Sequence, residues 1–536
     1  MSYDNKALTA VSVALLFALP MLRVGHFQSP MFWDDISIVF VYAMNFLETG
    51  SFFYNVPEDR IDGFTSMMDV FFVMPFALID ADEMFRLNYY AKALLASLIP
   101  VAVFFALKSW RVAFIPALII SGVIAASEVV AHGFAMQLEA PYYALLIVAF
   151  TVLLTGHQTH RTLLLWLTAV ALCLTRPEAL ALVFTGFGAF LLFSDQSGSK
   201  ARGETWRAAL ATAATMLAFY GWRIWYFGFW APNTYYAKHS GTRMEEISQG
   251  LAFLFDYLSS VPDAFIVAAF AVSAILVATR LFGRSGMNSA QERTLVIASL
   301  AAVMLAVRIV TGGDSYTLSS RLLIDVTLLS ALTAGAATVI AGRFSYATLL
   351  TLSVLGVAGN LAIIIGNMPA NLNAGFIRHE RFSDALHDCE RDTIRSVYAA
   401  NPGMTLAQTD FQRAKFYVPQ MTVFDLSGLN NRDIAHRPGA EDNLFGKHDL
   451  QYGLDNNADV WKLGTGVREL KPITQEQWDA TLESGFDPEG RRKTPNPFFL
   501  NNAERLAAEY EPTAAPSCGN YMNLIVRKGM IIPKGT

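Results

Sequence analysis

Apolar residues run in long blocks through the first two thirds of the chain and thin out after residue 367. Blocks near the ~20 residues that a helix needs to cross a bilayer fall at 7–24, 88–107, 112–130, 139–156, 161–176, 179–194, 206–226, 261–281, 293–311, 318–341 and 345–367. The pattern therefore predicts a polytopic α-helical membrane protein of about eleven spans. No small-residue cleavage site follows Leu19-Pro20-Met21-Leu22-Arg23, so the first block is read as an uncleaved span. Asp35 to Leu47 is too short to cross, and Thr65 to Ala81 carries Asp69 inside it and Asp80, Asp82 and Glu83 at its end. Both are expected to lie along the membrane interface, inside a long first outer loop at 25–87. Beyond 368 the period changes. Helix-like stretches (Arg381 to Ala399, Gln475 to Glu483) alternate with strand-like runs (Met421 to Asp425, Met522 to Val526). Residues 369–536 are thus expected to form a C-terminal α/β or α+β domain with its own core, and 1–368 the transmembrane module.

Basic residues orient the spans, because short loops rich in Lys and Arg stay cytoplasmic. Alternate loops carry Lys108 and Arg111, then Arg161, then Lys200, Arg202 and Arg207, then Arg280, Arg284 and Arg293, then Arg343. The loops at 25–87, 131–138, 227–260 and 312–317, and the tail, then face the periplasm of a bacterial inner membrane or its equivalent. Composition narrows the class further. Of the chain, 53% is apolar and only 16% charged, against ~25% charged in soluble domains, and the mean hydropathy is +0.36. A net charge of −5 leaves no basic excess for nucleic acid. Three cysteines exclude a disulfide scaffold; Cys389 and Cys518 share the outer compartment, where a disulfide is favoured, with two buried thiols as the alternative. Cys173 lies in a span.

Seven cations, Arg23, Arg86, Lys92, Arg176, Arg223, Arg308 and Arg321, fall at outer span ends or in outer loops. Guanidinium groups at headgroup depth suit a phosphate or diphosphate, or else snorkel to lipid headgroups. Facing them, Asp34 and Asp35 open the first interfacial segment. One Asp suffices to cap a helix; two adjacent carboxylates also suit a general base and the group that orients it. His132 and His239 read as ordinary loop histidines. No histidine pair has metal-binding helical spacing, so no metal site is assigned, and the need for a divalent cation stays open.

These residues carry a family resemblance. Asp34-Asp35-Ile36-Ser37 through Tyr42, Asn45 and Gly50, with Phe53-Tyr54-Asn55, Glu58 and Asp62-Gly63-Phe64-Thr65-Ser66, is similar to the first outer loop of the GT-C glycosyltransferases. The closest group by resemblance is that of the terminal β-(1→2)-arabinofuranosyltransferases and their bacterial relatives. Leu138-Glu139-Ala140-Pro141, Thr175-Arg176-Pro177-Glu178, Ala231-Pro232-Asn233-Thr234-Tyr235-Tyr236-Ala237-Lys238, Gly312-Gly313-Asp314 with Arg321, and Asp425 to Leu429 with Asp433 to His436 follow in the same order. The resemblance covers about 30–440 and departs at Ser315, where relatives tend to carry tryptophan, and at Gln137 and Ala140. It implies a sugar transferred from a polyprenyl-phosphate donor, with arabinofuranose as one sugar, to a cell-envelope glycan or glycolipid at the periplasmic face. Asp35, assisted by Asp34, is then the catalytic carboxylate. Arg176, Lys238 and Arg321, backed by Arg86 and Arg223, hold the donor phosphate, and Glu139, Glu178, Asn233, Tyr235 and Asp314 line the substrate. A lipid-linked sugar transporter or flippase, and a polysaccharide ligase or polymerase, are the alternatives. One-sided charge and the absence of a repeat weigh against the transporter, and the aspartate pair weighs against the ligase.

Overall fold

The structure is a computed structural model that describes residues 3–26, 34–55, 60–135, 137–156, 160–194, 198–238, 243–260, 262–281, 287–311, 322–382, 384–409, 412–437, 449–462, 473–485, 496–517 and 520–533. The apolar two thirds form α1 (Tyr3–His26), α2 (Asp34–Thr49), α3 (Met67–Ile79), α4 (Met84–Ser109), α5 (Phe114–Ala126), α6 (Glu128–Ala135), α7 (Ala140–Thr155), α8 (Arg161–Thr175) and α9 (Ala179–Phe193). They continue as α10 (Gly198–Phe227), α11 (Asn233–Lys238), α12 (Arg243–Ser260), α13 (Ala264–Leu281), α14 (Ser289–Val310), α15 (Ile324–Ala337) and α16 (Arg343–Phe382). Each of the eleven apolar runs contains one of these helices. Three, at Met84–Ser109, Ser289–Val310 and Arg343–Ile365, are long and apolar enough to cross a bilayer on their own, and α12 and α13 form a pair bent by 106°. Among the described residues α5, α7, α8, α9 and α15 are shorter, and polar residues cut several of them. Thus α5 stops at Ser127, whose backbone turns extended, and α8 stops at Arg176, ahead of Pro177, which disfavours helix in the residue before it.

Polar residues close to the outer ends also decide where helices begin. Ser66 accepts a hydrogen bond from the Asp69 amide and starts α3, the usual service of an N-cap hydroxyl. α3 presents Met67, Asp69, Val70 and Val73 inward and leaves Phe71, Leu78 and Ile79 exposed, as an interfacial helix should. α2 differs from the expectation. Its apolar residues surround the axis, and Ile36, Val39, Phe40, Val41, Tyr42 and Ala43 are all buried. A helix that is apolar on every side has no face for water, so it is buried within protein instead of lying on the bilayer.

The tail supplies the cover. It runs α17 (Asp384–Ala400), β1 (Thr405–Gln408), α18 (Arg413–Tyr417), β2 (Thr422–Asp425), α19 (Arg432–Ala435), α20 (Leu450–Asp455), β3 (Val460–Lys462), α21 (Gln475–Ser484), α22 (Pro497–Asn501), α23 (Ala503–Glu509), β4 (Tyr510–Ser517) and β5 (Asn520–Arg527). Its sheet has the order β2-β1-β3-β5-β4, with β2, β1 and β3 parallel and β3, β5 and β4 antiparallel. Side chains alternate between faces. Leu406, Val423, Val460 and Leu524 join one core with α2, Phe52, Phe64 and Phe85. Ala407, Trp461 and Ile525 point the other way, into a second core with Trp478, Phe499 and Tyr510. Phe40 meets Phe85 edge-on at 4.8 Å and Phe416 at 5.4 Å, so α2 is wedged between α4 and the tail. The first outer loop and the tail therefore share a core across the boundary drawn near 368, which itself falls inside α16.

Candidate functional site

Asp34 and Asp35 open α2. The side chain of Asp34 lies outside the described residues. Asp35 is half-buried and takes part in no hydrogen bond or ion pair among the described residues. Of the other matched-motif carboxylates, Asp62, Glu139, Glu178 and Asp425 have partners, while Asp433 is exposed. The helix ends and the loops between them carry two polar assemblies.

The first joins the second outer loop to three helix ends. Arg176, closing α8, donates to Glu139 at 2.5 Å and to Glu178 at 2.7–2.8 Å. Glu178 also accepts from Arg308 at 2.8 Å, and Arg308 donates to Asp325 at 2.5 Å. Signs thus alternate along Glu139, Arg176, Glu178, Arg308 and Asp325, all buried or nearly so. The alternation has a physical reason: in a low-dielectric interior each charge must be matched. Alongside, Lys92 donates to Asp69 at 2.6 Å and to the Gln137 carbonyl at 2.5 Å, with both charged side chains fully buried. Asn88 donates to the same carbonyl at 3.0 Å, and the Lys92 ammonium lies 5.3 Å and 5.8 Å from the Phe72 and Tyr142 rings. Together they clamp the second outer loop beside Glu139.

The second assembly ties the first and third outer loops to the tail. Asp62 pairs with Arg223, both buried. Burial pushes the Asp62 carboxyl up to about 6, against the opposing pull of the Arg223 guanidinium. The Asn233 amide N–H donates to the Asp62 carbonyl at 2.7 Å, and its side chain donates to the carbonyls of Gly428, Leu429 and Asn431 at 2.8, 3.0 and 3.3 Å. Those carbonyls point outward because Asp425 curls its own loop, accepting from Ser427 and Asn430, while Gly428 adopts a left-handed φ of +81° that glycine takes without strain. Tyr42 accepts from the Gly63 amide at 3.1 Å and donates to Asn430 at 3.3 Å. A Cβ at Gly63 would stand 1.9 Å from Asn430 Oδ1, so only glycine permits this approach. Arg432 donates to the Arg60 and Phe227 carbonyls, and His436 stacks on Phe229 with centroids 4.0 Å apart.

The five cations expected to hold a phosphate are placed unequally. Arg176 and Arg223 are buried and matched by carboxylates, and Arg86 pairs with Glu83 and Asp388. Lys238, ending α11, is exposed and has no ion pair among the described residues. Arg321 and Asp314 lie outside the described residues, as do His239 and the side chain of His132. Of the substrate-lining expectations, Glu139 and Glu178 belong to the alternating chain and Asn233 to the tail junction, whereas Tyr235 is exposed beside Trp230 and Tyr236. Asp325 was missed by sequence reading; its signal is an acidic residue in the first turn of an otherwise apolar helix. Cys173 is buried and free; Cys389 has a partner, and Cys518 lies outside the described residues. Among the described residues no cluster of His, Cys, Asp and Glu is arranged to hold a metal ion.

No family model matches the chain. No curated protein matches it either. A solved structure does: the ArnT of Cupriavidus metallidurans in its apo state, at a TM-score of 0.55 and 11% identity, covering 99% of this chain and 100% of that one. The chain therefore shares the overall fold of that structure along its length. At this identity the likeness speaks for the fold.

Proposed function

We propose that the protein is a GT-C glycosyltransferase of a bacterial inner membrane, moving a sugar from a polyprenyl-phosphate donor to a cell-envelope glycan or glycolipid. Asp35 carries the reading: it is a half-buried carboxylate without a partner among the described residues, at the first turn of a buried helix, whereas Asp62, Glu139, Glu178 and Asp425 are engaged by arginine or by their own loop. The ArnT-like fold and the order of the matched motifs support it. In this reading Asp35 takes the proton of the acceptor hydroxyl as that oxygen attacks the anomeric carbon, and Asp34 orients the acceptor. Charge then builds on the departing lipid phosphate, where a positioned cation stabilises it. Among the described candidates, Lys238 is the cation free to do so without giving up an ion-pair partner. Arg321 is the second candidate, and Arg176, Arg223 and Arg86 act through the loops that they hold. Glu139, Glu178, Asn233, Tyr235 and Asp314 frame the substrate. The reading takes arabinofuranose as the sugar, eleven spans with this face and the tail on the periplasmic side, and a Cys389–Cys518 disulfide in the tail.

The test uses purified protein and a panel of polyprenyl-phosphate sugars, with release of lipid phosphate as the readout. Asp35→Asn keeps shape and removes the basic oxygen, so turnover is expected to fall about 10²-fold or more, as for loss of a general base, with donor binding unchanged. Near-normal rates in both Asp35→Asn and Asp34→Asn would leave the pair as a helix cap and end the mechanism. Movement of the intact lipid without phosphate release would end the transferase reading altogether.

A further inference from the structure

The third outer loop holds a helix that the hydropathy pattern does not announce. α12 presents three separate sectors around its axis. Gly250, Leu254 and Tyr257 face the protein: a Cβ at Gly250 would stand 2.2 Å from the Ile309 carbonyl oxygen at the end of α14, and the Tyr257 hydroxyl bonds Thr327 at 2.7 Å. Met244, Leu251, Phe255 and Leu258 are exposed by 75, 51, 71 and 38%. At about 100° per residue those four fall within about 60° of arc, on one side of the packed sector. Glu245, Ser248, Gln249, Asp256 and Ser259 occupy the remaining arc. Large apolar side chains in a continuous exposed row mark a contact surface. Val310, next to the Ile309 carbonyl that Gly250 approaches, and Phe265 at the start of α13 are exposed as well, on helices read as lipid-facing spans, and α12 is bent 106° from α13.

We propose that α12 is a membrane-surface helix, with Met244, Leu251, Phe255 and Leu258 seated in the acyl–headgroup boundary of the leaflet on the tail side. A helix in that corner has protein on one side, lipid on the next and water on the third, matching the three sectors. The acidic groups of the wet sector, Glu245 and Asp256, gain nothing from anionic headgroups, so apolar burial holds the helix and a zwitterionic bilayer suffices. The inference does not depend on the transferase reading. It makes α12 a strut at lipid level.

The experiment places a nitroxide on single cysteines, introduced as Glu245→Cys, Leu251→Cys, Phe255→Cys, Asp256→Cys and Leu258→Cys in the full chain with Cys173→Ala, in phosphatidylcholine nanodiscs. The ratio of oxygen to aqueous nickel-chelate accessibility is read at each site. It should be about fivefold or more higher at 251, 255 and 258 than at 245 and 256, and unchanged when anionic lipid is added. Equal aqueous access at all five sites would overturn the proposal. A ratio that rises steadily along the helix would overturn it in favour of a broken span shared with α13. Protection from both reagents that is relieved at one chain per disc would show that a second copy covers the row, and would also overturn it.

Discussion

Two polar assemblies at the same end of the molecule are built by different rules. The chain from Glu139 to Asp325 matches charge with charge, one carboxylate to each arginine edge. Among the described residues the tail junction has one buried ion pair, Asp62–Arg223, and otherwise relies on donors to backbone carbonyls, the neutral Asn233 amide serving three of them and Arg432 two. The difference follows from the elements available. Helix ends packed side by side offer few free carbonyls near their flanks, so arginine there needs carboxylates. Loops such as 425–431 expose carbonyls that a neutral amide can satisfy at much lower desolvation cost. The charge chain should accordingly be brittle and the junction graded.

Truncation should separate the two most sharply. Arg308→Ala leaves Glu178 short of a partner and Asp325 without its cation, and removing one member of a buried ion pair costs about 3–5 kcal/mol; thermal unfolding in detergent should show that loss. The double variant with Asp325→Ala should cost less than the two single changes added together, because the orphaned charge is gone. At the junction, Asn233→Ala should cost about 1–3 kcal/mol and be read as faster amide exchange in residues 428–431, with the helical bundle unaffected.

Acid adds a test within the tail side. Burial holds the His387 imidazole down to about 3, helped by the nearby Arg413, Arg391 and Arg86 charges, and its Nδ1 lies 2.9 Å from the Tyr417 hydroxyl. Between pH 6.5 and about 3 the unfolded chain takes up a proton there that the folded chain does not. Stability should therefore fall as pH drops through that window, and His387→Asn should flatten the fall. Asp62 works in the opposite sense, because the folded state keeps its proton up to about 6 and the unfolded state loses it near 3.8; its share of stability is lost as pH rises between those values. The smallest effect belongs to Arg395→Ala. Arg395 bridges the tail to Asp82 in the first outer loop at 2.8 Å, but both side chains are more than two-fifths exposed, so the loss should stay under about 1 kcal/mol and leave the tail docked in limited proteolysis.

Much of the helical frame is legible in the chain because apolar periodicity and end signals are local. The eleven apolar runs, α3 with its Ser66 cap, α17, α21, β2 and β5 all sit close to where hydropathy and spacing put them. β4 was not visible. It carries Pro512 and Pro516, which a strand tolerates only at a sheet edge, where an amide donor is not needed, and its edge position is known only once β5 pairs with it. α12 escaped for a related reason, since its mixed sectors average out in a hydropathy window.

By itself the sequence determined the membrane class, the segregation of charge to the helix ends and the identity of the residues gathered there, because the bilayer penalises any other placement of charge. Tertiary structure decided what those residues do for one another. Asp62 and Arg223 are 161 positions apart, and Asn233 lies 195 from Gly428, distances over which no local pattern carries information. Arg176, Arg223 and Arg86, which the sequence offered to a ligand, are matched by carboxylates of the chain, Lys238 is left exposed, and α2 is buried under the tail. Which charge meets which depends on how helices and sheet pack, and packing is a property of the whole chain.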